Sequence, residues 1–294
     1  MNFKDEIKNA LKKNRPNLSD KSLATYTSTL SNFPKKHNLP NELTTFKKTN
    51  EILKALEDVT PNKRKSILGA IFILTNDEKI REHMLTDMKT VNENYKKQSM
   101  SKKEKDNWID WDDVVKKYND METELDHLFN KKTVTPKELN KMNELVLLAS
   151  YVLMPPRRLM EIGTMKIRNF TKDDNHIKGN KIFFVNYKTA STYGKQVFAT
   201  PTRYNALIKK WMNYNDTDFL IYHKKRTETS PSNLNKQLNS IFGKNISVDM
   251  LRHSFLTNYY SKGMPKLQDM EDLSKKMAHS VATALTYIKH EDKQ

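Results

Sequence analysis

The sequence predicts a mainly α chain with one small antiparallel sheet, divided into a helical N-terminal domain and a larger α+β domain. Three observations predict it. Apolar residues recur every three or four positions through the first hundred residues, the period of an amphipathic helix. Only two short runs rich in β-branched and aromatic residues, 181–186 and 196–199, read as paired strands. Between the two helical regions, the stretch from Lys96 to Asp106 is charged and lacks aliphatic residues, as a linker does. The expected divisions are a helical domain over 1–98, a basic linker over 99–107 and an α+β domain over 108–294.

Each element has a local reason. Ser19 is the expected N-cap of a helix carrying Leu23, Tyr26, Leu30 and Phe33 and ending at Pro34. Asn50 opens a shorter helix over 51–56. Thr60 and Pro61 form an N-cap and first-turn pair for a buried helix through Ile67, Leu68, Ile71, Phe72 and Leu74. Asn76 then starts a long polar helix through Ile80, Met84, Met88 and Val91.

After the linker, Trp111, Val114, Val115 and Tyr118 mark a helix. Thr135-Pro136-Lys137-Glu138 caps another, which is apolar nearly all round towards Leu153 and therefore central in its domain. Pro155-Pro156 breaks it, and a new helix restarts at Arg157 and Arg158. The loop over 189–194, between the two strand runs, is longer than a tight hairpin. Helices follow over 204–212 and, capped by Ser230-Pro231, over 232–242, with Phe219-Leu220-Ile221 as a short buried piece between them. Leu251, Phe255, Leu256 and Tyr259 then recur at helical spacing with Arg252 in the first turn. A last short helix begins at Ser280 and carries Tyr287 near its far end.

Composition narrows the function classes. Lys plus Arg number 52 against 35 Asp plus Glu, a net charge of +17, which favours a polyanionic partner. The chain has no Cys, which excludes disulfides, thiolate metal sites and Cys nucleophiles. No apolar run approaches the ~20 residues of a membrane span, and the polar, acid-containing N-terminus resembles neither a secretory signal nor a transit peptide. The expectation is a soluble, intracellular protein.

Four motifs stand in order: Met154-Pro155-Pro156-Arg157-Arg158-Leu159-Met160-Glu161; Asn186-Tyr187-Lys188-Thr189 with Gly194-Lys195-Gln196 across the hairpin; Val248-Asp249-Met250-Leu251-Arg252-His253; and Ala278-His279 followed by Tyr287. Together they resemble the tyrosine recombinase (phage integrase) family. The resemblance covers about residues 108–290 by motif and the first domain by architecture, where Lys35-Lys36, Lys47-Lys48 and Lys63-Arg64-Lys65 look like the basic face of a core-binding domain. The finer pattern around Arg158 and Arg252 is similar to integrases of large DNA viruses and of the mobile elements associated with them.

The resemblance implies a site-specific recombinase that cleaves and rejoins DNA through a 3′-phosphotyrosine, with no cofactor, metal or ATP. It implies double-stranded DNA as partner and a homo-oligomer, dimer to tetramer, on that DNA. Tyr287 is then the nucleophile, its ester conserving the phosphodiester energy. Arg158 and Arg252 match the non-bridging oxygens of the transition state, with Arg157 as the alternative to Arg158. Lys188 protonates the leaving 5′ oxygen, with Lys195 as fallback, and His279 donates to a non-bridging oxygen.

Departures from the family pattern are informative. Asp249 stands where a His or Lys is usual, and is read as a helix N-cap beside Arg252 in preference to a general base for Tyr287. His253 reads as a packing residue. Ala278 replaces the usual Gly, and the His279 to Tyr287 spacing is one residue shorter than in the commonest members. Seven residues follow Tyr287, fewer than many relatives use to dock into a neighbouring protomer. The rivals are a type IB topoisomerase, which would relax supercoils without joining two sites, and a catalytically silent DNA-binding protein of the same fold.

Overall fold

The structure, a computed structural model, describes residues 2–223 and 227–290. The chain falls into two compact units, Met1–Lys97 and Gln98–Gln294.

The first unit is all helical. Helices α1 (Phe3–Asn14), α2 (Asp20–Lys36), α3 (Thr49–Ala55), α4 (Pro61–Thr75) and α5 (Glu78–Lys96) enclose a core of Ile7, Leu11, Leu30, Phe46, Ile52, Leu68 and Ile71. Ser19 caps α2 as expected, accepting from the Ser22 amide. Helix α2 runs past Pro34 to Lys36, against the expected stop, because only its final turn lies beyond the residue that lacks an amide donor. Asn76 does not open α5. It closes α4 in the left-handed region at φ 54°, and Asp77 is the cap, accepting from the amides of Lys79 and Ile80. Of the basic residues in this unit, Arg64 is committed to the fold: its Nε and Nη2 grip the buried Asp87 carboxylate at 2.8 and 2.6 Å.

The second unit opens with α6 (Lys102–Asn107), so the segment expected to be a linker carries a helix closed by a Ser101–Glu104 capping box. Then come α7 (Trp111–Leu125) and α8 (Pro136–Val152), the latter with the predicted Thr135–Glu138 capping box and nine buried residues, which make it the centre of this core. After the proline break, Arg158 is the N-cap residue of the short α9 (Leu159–Gly163).

The sheet has three antiparallel strands in the order β1 (His176–Lys178), β2 (Lys181–Phe184), β3 (Gln196–Ala199), with Ile177 opposite Ile182 and Ile182 opposite Phe198. The β2–β3 connection holds a helical turn, α10 (Ala190–Tyr193). Helices α11 (Thr202–Met212), α12 (Pro231–Phe242), α13 (Val248–Ser261), α14 (Leu267–Lys276) and α15 (Val281–Tyr287) complete the unit. Among the described residues no helix is long and apolar enough to cross a membrane.

Candidate active site

Helix α13 and the turn carrying His279 meet at Tyr287. Helix α15 begins at the predicted place, with the Ser280 hydroxyl capping the Thr283 amide, and ends on Tyr287. Helix α13 starts at Val248, so Arg252 lies one turn further in than expected. The residue is 1% exposed, and its guanidinium carbon stands 4.7 Å from the centre of the Tyr287 ring. Nη1 donates to the Pro156 carbonyl at 2.7 Å, which ties α13 to the proline break before α9. The Arg252 Nε and Nη2 are buried and find no partner among the described residues. Two buried guanidinium donors without partners are costly to the fold and suited to an anionic oxygen.

The two adjacent arginines have different fates. Arg157 is buried and donates to Glu161, to Gln196 Oε1 at 2.9 Å and to the Lys276 carbonyl at 2.8 Å, with its Cζ 3.8 Å from the Phe184 ring centre. It welds α9, the sheet and the end of α14 together. Burial pushes the Arg157 guanidinium down and the Glu161 carboxyl up, and their contact opposes both shifts. Arg158 is a quarter exposed, 3.9 Å from Glu161, and donates through Nη1 to the Ala278 carbonyl at 2.9 Å. Arg158 is therefore the arginine that borders His279.

Ala278 adopts φ 57°, the left-handed region. An L-residue there costs about 1–2 kcal/mol, which is the physical reason a Gly would suit this position. Its peptide is pinned by Arg158, by the Thr189 hydroxyl at 3.1 Å and by its own amide to Lys275. Thr189 thereby draws the β2–β3 connection to the site. Lys188, the preceding residue, is exposed and is flanked on its other side by Tyr187, whose hydroxyl holds the Gly194 carbonyl at 2.5 Å. Lys195 instead lies over the Phe183 ring, 5.1 Å from its centre, on the sheet.

His279 is buried, with its ring 5.8 Å from that of Tyr287. Its Nδ1 lies 3.1 Å from the Ser280 carbonyl, which can only accept, so Nδ1 carries a hydrogen and the neutral ring leaves Nε2 bare. That Nε2 has no partner among the described residues. Burial, followed by the charge of Arg252, pushes the His279 pKa down to about 4, with smaller contributions from Arg158 and Arg157.

Asp249 is not the helix cap. Ser247 caps α13 by accepting from the Met250 amide, which frees Asp249 to turn towards Tyr287. Its Oδ2 is 3.7 Å from His253 Nε2. The hydrogen bond of His253 holds the Asp249 carboxyl below its ordinary value, against burial; the charges of His253 and Arg252 and a hydrogen bond of the Tyr287 hydroxyl add to this. His253, read from sequence as packing, donates from Nδ1 to the Tyr287 carbonyl at 2.7 Å. The signal in the sequence was its i,i+4 relation to Asp249, which puts both on one helix face.

No protein-family model matches the sequence, and no curated protein matches it. Solved structures do match. A lambda integrase dimer bound to a COC′ core site is similar over 97% of this chain and 75% of that one, at 13% identity and a TM-score of 0.56. XerA recombinase is similar over 98% of this chain and 94% of that one, at 11% identity and a TM-score of 0.44. The chain has the tyrosine-recombinase fold. At these identities the likeness is one of fold: a helical domain followed by a mainly helical domain with a small antiparallel sheet. Within that fold, Arg158, Arg252, His279, Tyr287 and Asp249 are brought together, while Lys188 is exposed on the β2–β3 connection that Thr189 ties to the Ala278 carbonyl.

Proposed function

We propose that this protein is a site-specific DNA recombinase that cuts and rejoins double-stranded DNA through a 3′-phosphotyrosine at Tyr287, acting as a homo-oligomer on its site. The observation that carries the reading is the buried pair of Arg252 donors without partners among the described residues beside the Tyr287 ring, with the His279 ring, its Nε2 also unpartnered there, 5.8 Å from the same ring.

In the proposed reaction the Tyr287 oxygen attacks phosphorus, the bond to the 5′ oxygen breaks, and the tyrosine–phosphate ester keeps the bond energy for rejoining. Asp249, whose carboxyl the Tyr287 hydroxyl helps to hold ionised, takes its proton. Arg252 Nε and Nη2, with Arg158, neutralise the non-bridging oxygens as their charge rises. His279 can donate from Nε2 only as an imidazolium, because Nδ1 is spent on Ser280. The scissile phosphodiester, a monoanion, offsets the arginine charges that add to burial in keeping the ring neutral, so binding DNA favours proton uptake at His279. Lys188 supplies the proton to the leaving 5′ oxygen. A 5′ hydroxyl from a second duplex then reverses the step, which joins the strands without a high-energy cofactor.

The net charge of +17 and the DNA-bound state of the lambda integrase neighbour support DNA as the partner. Incubating the protein with supercoiled plasmids carrying one or two copies of candidate sites tests the reading. Exchange between two sites supports a recombinase. Relaxation with no joining of sites points to a topoisomerase, and tight binding with neither product points to a silent binder.

A further inference from the structure

The residues after Tyr287 are fastened to the very start of the second unit. The His290 amide donates to the Gln98 carbonyl at 2.9 Å, and Ser99 and His290 form a parallel bridge. Gln98 Nε2 donates to the Leu285 carbonyl, inside α15, at 2.6 Å. Lys289, whose side chain is 7% exposed, donates through Nζ to Glu104 at 2.8 Å and to the Ser99 carbonyl at 3.3 Å. Glu104 in turn closes the cap of α6, accepting from the Ser101 amide and hydroxyl at 2.8 and 2.7 Å. Its other side lies 4.0 Å from His253 Nε2, the ring whose Nδ1 holds the Tyr287 carbonyl.

Helix α15 needs such support. It has seven residues and buries only Ala284 fully, so neither its length nor its own packing fixes where it ends. Near-attack geometry is exacting: a displacement of about 1 Å can cost of order a hundredfold in rate.

We propose that Glu104 and Lys289 are positioning residues for Tyr287, forming a latch that fastens the nucleophile's helix to the segment through which the chain enters this unit from the first one. The proposal rests on the reading of Tyr287 as the nucleophile. Its consequence is that a change in the course of residues 98–104 reaches the end of α15 through the Gln98 contacts with Leu285 and His290, and the Tyr287 carbonyl through His253. The Lys289 side chain is buried with its ammonium on Glu104, 2.8 Å away, so its role in the latch is the fastening itself.

The test uses the full chain with Lys289→Met, the conservative Lys289→Arg and the isosteric Glu104→Gln. Hydrogen exchange is followed in α15 and, as an internal control, in α8, and adduct formation is measured in a single turnover at saturating DNA. The latch predicts exchange over residues 281–289 about tenfold faster in the Met and Gln variants, unchanged in α8 and restored by Arg. It also predicts slower adduct formation with DNA affinity unchanged, again restored by Arg. Wild-type exchange in α15 of Lys289→Met overturns the latch, as does a wild-type adduct rate in that variant. Faster exchange in a protein whose wild type forms no Tyr287 adduct keeps the fastening but overturns its catalytic meaning, together with the reading of Tyr287.

Discussion

Replacing Arg252 with methionine separates chemistry from folding. Arg252 is 1% exposed, spends Nη1 on the Pro156 carbonyl and keeps Nε and Nη2 without partners among the described residues. Loss of preorganised donors of this kind costs about 3–4 kcal/mol of transition-state stabilisation, or roughly a hundred- to a thousandfold in rate. Two effects on stability oppose each other. The Pro156 carbonyl loses its donor, at about 1–3 kcal/mol, whereas replacing a buried, poorly paired charge by a hydrophobe of similar volume gains about 1–4 kcal/mol elsewhere. These nearly cancel, so Tm should stay within about 4 °C of wild type. Removing one phosphate contact should also make the salt dependence of DNA affinity shallower by about 0.9 in log–log slope. Single-turnover adduct formation, thermal unfolding and binding at several salt concentrations measure all three. A folded Arg252→Met protein that cleaves within about threefold of wild type would refute the assignment.

Three further outcomes follow from the same geometry. His279 has its pKa held at about 4 against an ordinary 6.5, so the unfolded chain takes up the proton first as pH falls. Its contribution to stability, of order 3 kcal/mol, should be complete above pH 6.5 and disappear as pH falls towards 4; denaturant unfolding of wild type and His279→Gln across that range checks it, and identical pH dependence would contradict it. Lys188→Ala should slow cleavage of an ordinary phosphodiester by about 10²–10⁴ but leave a substrate with a 5′-bridging sulfur nearly unaffected, because a thiolate leaves without a proton; equal losses on both would remove Lys188 as the acid. Asp249→Asn should slow adduct formation about a hundredfold at neutral pH; wild-type rates would return Asp249 to a structural role.

The parts of the fold legible in the sequence were those with a local cause. The Thr135–Glu138 box, the Ser280 cap and the apolar periods of α8 and α13 lie within a few residues of the structure they specify. β1 was missed because three residues are too short for a period, and α14 because its apolar positions sit among many charges. Asp249 was misread because a cap two residues earlier, Ser247, already served the helix. Arg157 and Arg158 are neighbours in sequence, and only tertiary contacts with Gln196, Lys276 and Ala278 separate their roles. The Glu104–Lys289 pair joins the two ends of one unit, and nothing local in the chain announces it.

The central claim is that Tyr287 attacks DNA. The most direct measurement is to incubate the protein with nicked duplex DNA in EDTA, quench in detergent, and map the modified peptide beside a Tyr287→Phe control. The account predicts a metal-independent adduct on Tyr287 through a 3′ phosphate, absent from the Phe variant. An adduct on Tyr259 or Tyr260, or one that persists in Tyr287→Phe, would contradict it.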